Sequence, residues 1–245
     1  MRAGILIVGS LLWDEKPGRP AWRQSRLVME RAVRVKVPIR YGRLSKKRGK
    51  TFTMTFAADG DPSGQGVLVP CRASPSNVAE LAAEAEALWK AEDCSAKTGS
   101  IAAAWGCVGS LFHNDFATRA DWSRAWAEHF VLKTASPVSP VDSNGLVGIP
   151  WPSMANGAVA AVDAVLATAT KAEVPIPPPE DIADAWIRQD DEHERYFFQN
   201  VKHGIRTPED LAIWRRIQAI RRDWLQRKEY AEAVSILTAE CHSDR

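Results

Sequence analysis

Short apolar and alternating runs fill the first half of the chain, and helical periods fill the second. Ile5 to Val8 is an apolar run bounded by glycines, which predicts a buried strand. Val33, Val35 and Val37 alternate with Arg34 and Lys36, the period of a half-buried strand. Thr51 to Phe56 alternates in the same way and puts Phe52, Met54 and Phe56 on one face. Gly66 to Val69 predicts a further strand. The segment from Arg43 to Thr51 reads as a basic turn, and Ala57 to Gly64, with its Gly and Pro, as a loop.

A helix follows. Ser74 before Pro75 is a start signal, and Val78, Leu81, Ala85 and Leu88 form one apolar stripe widened by Ala82 and Trp89. The next step of four lands on Glu92, near the middle of that stripe, whereas Glu80, Glu84, Glu86 and Lys90 fall toward the flanks or the opposite face. Ile101 to Phe112 predicts a strand. Asp121 to Leu132 predicts a helix, with Trp122, Trp126 and Phe130 at four-residue spacing. Ala135 to Met154 reads as a long loop, Val159 to Ala169 fits strand or helix, and Pro175 to Pro179 is a linker. Beyond it the chain reads as mostly helical, with Gly204 as a helix end and Thr207-Pro208-Glu209-Asp210 as a helix start.

Strands early and helices late predict an α+β fold rather than a doubly wound one. The expected form is a mixed, mostly antiparallel sheet or small β-barrel with flanking helices over residues 1–172, and a helical extension over 173–245 packed on the same domain.

Composition narrows the classes of function. With 245 residues, 45% of them hydrophobic, the chain buries a core without staples. A net charge of +2 argues against a polyanionic partner. Four cysteines make no zinc-like spacing. No run approaches the roughly 18 apolar residues of a membrane span, and no signal peptide is read at the start. The expectation is a reduced, cytoplasmic protein with no membrane partner. Ten tryptophans are assigned to core and pocket walls.

Glu92 is the sharpest chemical signal. A carboxylate facing a core must be paired, hydrogen-bonded or protonated, and partial desolvation is one way to obtain a general base. The same position also fits a helix end frayed into water, or a partner for a nearby Lys or Arg. Other signals carry less. Lys46-Lys47-Arg48-Gly49-Lys50 and the pairs Arg215-Arg216 and Arg221-Arg222, interleaved with Trp214 and Trp224, fit an RNA-binding module or solvated faces. Asp190 to Glu194 surrounds His193 with acids, but consecutive helical positions diverge and make a poor metal site. Ser10 and Ser110 lack a GxSxG setting, and nothing marks Cys94 as a reactive thiol.

An ordered series of segments points to a family. Ile5-Leu-Ile-Val-Gly-Ser-Leu-Leu-Trp-Asp14 resembles the "GSLxWD" opening of γ-glutamylcyclotransferase-like proteins. Pro38 to Ser45 resembles the "LPIEFSRxS" segment of one uncharacterised branch, Gly66-Val67-Leu68 the "WGVxY" strand, and Leu88 to Glu92 the "LxxxE" helix end that carries the family's catalytic glutamate. The resemblance spans residues 5–112. It implies a small closed or nearly closed barrel and an intramolecular reaction that cyclises a γ-glutamyl amine or peptide to 5-oxoproline. It implies Glu92 as acid/base, with Gly9, Ser10 and Leu11 binding the substrate and Arg43 as a carboxylate anchor. No cofactor and no metal are called for. The sequence departs from the pattern at Val8, where the family often has an aromatic, at Arg40 in place of Glu and at Gly42 in place of Ser. These departures keep open a noncatalytic small-molecule binding protein on the same scaffold.

Overall fold

A computed structural model of the chain describes residues 1–45, 49–57, 63–134, 137–154, 156, 161–174, 176–189 and 193–243. Lys46, Lys47 and Arg48 of the basic turn lie outside the described residues, as do Asp190, Asp191 and Glu192 of the acidic cluster, Val159 and Pro175.

The architecture is α+β with a mostly antiparallel sheet. Strands β1 (Ala3–Ile7), β2 (Val33–Val37), β5 (Gly64–Pro70), β6 (Ala102–Ala103), β7 (Gly106–Phe112) and β8 (Ala164–Thr170) form one sheet in the order β2-β5-β1-β8-β7-β6. Among the described strands only the central β1–β8 pair is parallel. β1 is buried throughout, which explains its unbroken apolar run. Strands β3 (Ile39–Ser45) and β4 (Thr51–Phe56) make a separate antiparallel ribbon with an irregularity between Tyr41 and Arg43. The ribbon is tied to the end of β8: Thr55 Oγ1 donates to Thr170 O at 2.6 Å, and Glu173 N, just after β8, donates to Gly42 O at 2.9 Å. Among the described residues the six-stranded sheet does not close on itself.

The segment expected as one strand from Ile101 to Phe112 is two, β6 and β7, because a turn separates Ala103 from Gly106. The ambiguous run near Val159 resolves into β8, paired with β1 and β7.

Among the described residues there are eight α-helices: α1 (Arg19–Arg26), α2 (Val78–Glu92), α3 (Arg119–Lys133), α4 (Pro179–Ile187), α5 (Arg195–Lys202), α6 (Asp210–Ile220), α7 (Arg222–Leu225) and α8 (Ala231–Ser243). None is long and apolar enough to cross a membrane. α2 starts at Val78, later than Ser74-Pro75 suggests. The cap is Asn77, in extended backbone, whose side chain accepts from Glu80 N at 3.0 Å while Ser76 N donates to the Glu80 carboxylate. The stripe of Leu81, Ala82, Ala85, Leu88 and Trp89 is buried as expected. Glu84, expected on a flank, is buried too, because α1 packs there and Arg26 Nη1 donates to its carboxylate at 2.9 Å.

The C-terminal helices carry their own aromatic core, including Trp186, Phe197, Phe198, Trp214, Trp224 and Tyr230, with Phe198 stacked on Tyr230 at 4.2 Å. Gly204, at φ +77°, ends α5 in a conformation suited to glycine. Arg206 then joins this region to the sheet. Its backbone pairs with Gln65 of β5 in both directions, and its guanidinium binds Asp210 and, through both Nη atoms, Glu240. Asp210 is 1% exposed and also accepts from Thr207 N and Oγ1. Replacing Asp210 removes one of the two carboxylates that hold the Arg206 guanidinium and an acceptor for Thr207. Asp210→Asn is therefore expected to destabilise by about 3 kcal/mol, a drop of roughly 6–12 °C in melting temperature for a chain of this size; thermal unfolding of the variant checks this.

Candidate functional site

One pocket of about 360 Å³ lies between the end of β1, the ribbon and the C-terminal end of α2. It is small-molecule sized. Its lining includes Gly9, Ser10, Leu11, Arg43 and Glu92, so all five residues expected to act on a substrate reach the same concavity. Lys16, Arg19, Trp105, Glu173 and Tyr196 join them.

The turn after β1 comes first. Gly9 precedes a single 3-10 turn, Ser10–Leu12, in which Leu12 N and Trp13 N bond back to Gly9 O and Ser10 O. The leading N–H groups of such a turn have no partner within it. Gly9 is required for a close approach rather than for backbone freedom: its φ is −175°, but an added Cβ would stand 2.9 Å from the Tyr196 hydroxyl. That hydroxyl accepts from Met54 N at 3.2 Å, so Tyr196 of α5 spans from the ribbon to the Gly9 turn. Trp13 Nε1 donates to Asn200 Oδ1 at 2.7 Å, a second tie between the same turn and α5.

Glu92 is the last residue of α2, with its side chain 22% exposed. A carboxylate at a helix C-terminus faces the negative end of the dipole. Arg19 offsets this: its Nη2 lies 3.4 Å from Glu92 Oε2, and its Nε donates to Ala91 O at 3.1 Å. The same guanidinium donates through Nη1 to Ser10 Oγ at 3.0 Å and Asp14 Oδ2 at 2.8 Å. Glu92 thus combines two of the settings open to it in the sequence, a pocket wall and an ion pair. Arg19 and Tyr196 were missed there. Gly18-Arg19-Pro20 reads as ordinary turn-to-helix punctuation, and Tyr196 sits in a helical region with no chemical motif.

Arg43 stacks on Trp105, with its Cζ 4.5 Å from the ring centroid, and Trp105 stacks in turn on Trp89 at 4.7 Å. Glu173 accepts from Leu44 N at 3.2 Å on the same wall.

The other sequence signals do not converge here. Trp214 and Trp224 are buried, so neither offers a ring for base stacking. Arg216 pairs with Asp184, and Arg221 with Asp223. Ser110 is fully buried on β7. Among the described residues no group of His, Cys, Asp and Glu is arranged to hold a metal. Compared with protein-family models, with curated proteins and with solved structures, the chain gives no match.

Two outcomes test this geometry. Gly9→Ala is expected to destabilise by about 1–3 kcal/mol through overpacking. Adding Tyr196→Phe, which removes the clashing oxygen, should recover part of that loss, so the double-mutant cycle shows coupling; strictly additive losses would contradict the contact. Arg19→Lys keeps the charge but replaces a fork with a point donor. It is expected to lower stability by about 2–3 kcal/mol, measured by denaturant unfolding.

Proposed function

We propose that the chain is a γ-glutamylcyclotransferase-like enzyme on a nearly closed barrel, acting on a γ-glutamyl amine or peptide. The ribbon bonded to the end of β8 at Thr170 and Glu173 supports the barrel reading. The observation that carries the function is convergence. The Gly9–Leu11 turn, Arg43 and Glu92 come from three distant segments of the chain and line one pocket of substrate size.

In this reading the N–H groups of the Gly9 turn and the Ser10 hydroxyl hold the γ-glutamyl head group, and Arg43 takes a carboxylate. Glu92 removes a proton from the α-ammonium. The freed α-nitrogen attacks the γ-carbonyl carbon and forms the ring C–N bond. Glu92 then returns that proton to the departing nitrogen as the original amide C–N bond breaks and takes the second proton from the ring nitrogen; this proton leaves with the amine as its ammonium, and 5-oxoproline is released. Both reacting groups belong to one molecule, so the pocket's main task is to hold the folded pose.

The second reading, a noncatalytic binder on the same scaffold, is favoured by Val8 in place of an aromatic and by the Arg19–Glu92 ion pair. Incubation with a panel of γ-glutamyl peptides and amines separates the two by release of 5-oxoproline. Turnover is expected, and Glu92→Gln should reduce it by about 10²–10⁴-fold. Binding without turnover supports the second reading; turnover unchanged in Glu92→Gln removes Glu92 from the mechanism.

A further inference from the structure

The turn after β1 that lines the pocket is too small to hold itself. It is three residues of 3-10 helix, Ser10–Leu12, closed by bonds of 3.3 Å and 3.2 Å from Leu12 N and Trp13 N and one of 2.8 Å from Asp14 N. Runs this short have poor hydrogen-bond geometry, and a single isolated turn is unfavourable. Its place is therefore set by what packs on it. Arg19 is one hold, through Ser10 and Asp14. α5 is the second, and it grips the turn at both ends.

Tyr196 and Asn200 lie one helical turn apart on the same face of α5. The Tyr196 hydroxyl, accepting from Met54 N at 3.2 Å, stands against Gly9 just before the turn. Asn200 Oδ1 accepts from Trp13 Nε1 at 2.7 Å just after it. Asn200 is fully buried, and among the described residues its Nδ2 is shielded from solvent without a partner. A buried donor without an acceptor lowers stability. An apolar residue would suit this interior position better, and the bond to Trp13 is what the amide provides. α5 has only eight residues and depends in turn on the helices that follow it. Glu194, which precedes α5, is 2% exposed, and one of its oxygens accepts from Arg227 Nη1 at 2.8 Å and from the Tyr230 hydroxyl at 3.1 Å. A continuous run of contacts thus leads from Arg227 and Tyr230 through Glu194 and α5 to the turn.

We infer that the Gly9 turn and the C-terminal helices form one opening unit, in which Tyr196 and Asn200 clamp the turn and Glu194 holds the clamp. The coupling is a conformational device: when the C-terminal helices loosen, the pocket loses its binding turn with its own side chains unchanged. It runs both ways, since a ligand that needs the closed turn also stabilises those helices. The inference concerns the turn itself and holds for whatever small molecule the pocket takes.

Amide hydrogen exchange on the full chain tests this, because exchange reads local opening segment by segment. Asn200→Leu should speed exchange at Leu12, Trp13 and Asp14 by about 3–10-fold while the melting temperature holds, since the variant also removes the unpartnered amide. Trp13→Phe removes the same bond from the other partner and should give the same increase, and the double variant should add nothing further. Glu194→Gln lies outside the pocket lining. It should speed exchange in α5 and at Leu12, Trp13 and Asp14 together, leaving Ala3–Ile7 of β1 at the wild-type rate. Wild-type exchange at the turn in both Asn200→Leu and Trp13→Phe overturns the inference, as does faster exchange in α5 of Glu194→Gln with the turn unaffected. An equal rise in β1 overturns it too, because the C-terminal helices would then open only with the whole fold. Release of 5-oxoproline plays no part in these outcomes, so the γ-glutamyl reading and this inference stand or fall separately.

Discussion

The guanidinium of Arg19 is the contact on which the pocket depends. It sits at the first position of α1, where a helix dipole disfavours a cation, and its side chain is only 9% exposed. Such a group is stable only if its donors are met. They are met by Ser10, Asp14, Ala91 O and Glu92, so one side chain joins the turn after β1 to the last turn of α2. The two carboxylates near it also lie toward the positive end of α1, which offsets the cost of the cation there. The pairing fixes where Glu92 sits with respect to the Gly9 turn. Neither element determines that distance by itself.

The C-terminal helices add the second constraint. Tyr196 and Asn200 of α5 touch the Gly9 turn and its neighbour Trp13, and Arg206 locks the region to the edge of β5. The helical extension is thus a structural part of the pocket wall. Its aromatic core gives α5 the rigidity that a positioned side chain needs.

What the sequence disclosed follows from which signals are local. The stripe on α2 located Glu92 because helical period alone places it on the buried face. The β1 run was legible because a central strand covered on both sides is apolar without interruption. Arg19 was not legible, since its role lies in contacts with residues far along the chain. Glu84 was misjudged for a related reason: periodicity identifies one buried face and is blind to a second helix packing on the flank. The Thr51–Phe56 strand is the clearest case. Its alternation predicted apolar residues inward and threonines outward, but Thr51, Thr53 and Thr55 are buried as well. The polar face turns toward β8 and the pocket instead of toward water. An alternating pattern does not by itself distinguish a solvated face from a polar cavity wall.

The geometry around Arg19 also bears on whether Glu92 is only a counter-ion. A carboxylate retained to neutralise a buried guanidinium normally makes short contacts, about 2.7–2.9 Å and often bidentate. Asp14 fills that role, at 2.8 Å. Glu92 approaches by one oxygen at 3.4 Å while its side chain remains partly open to the cavity. Asp14 supplies the nearer compensating charge for Arg19 and Glu92 the more distant one. Under the proposed reading, a carboxylate that lines the pocket wall and is not the nearer counter-ion of Arg19 is the one placed to meet a ligand. On that division of labour, Asp14 and Glu92 hold Arg19 from two sides, and Glu92 is the one of the two that lines the pocket.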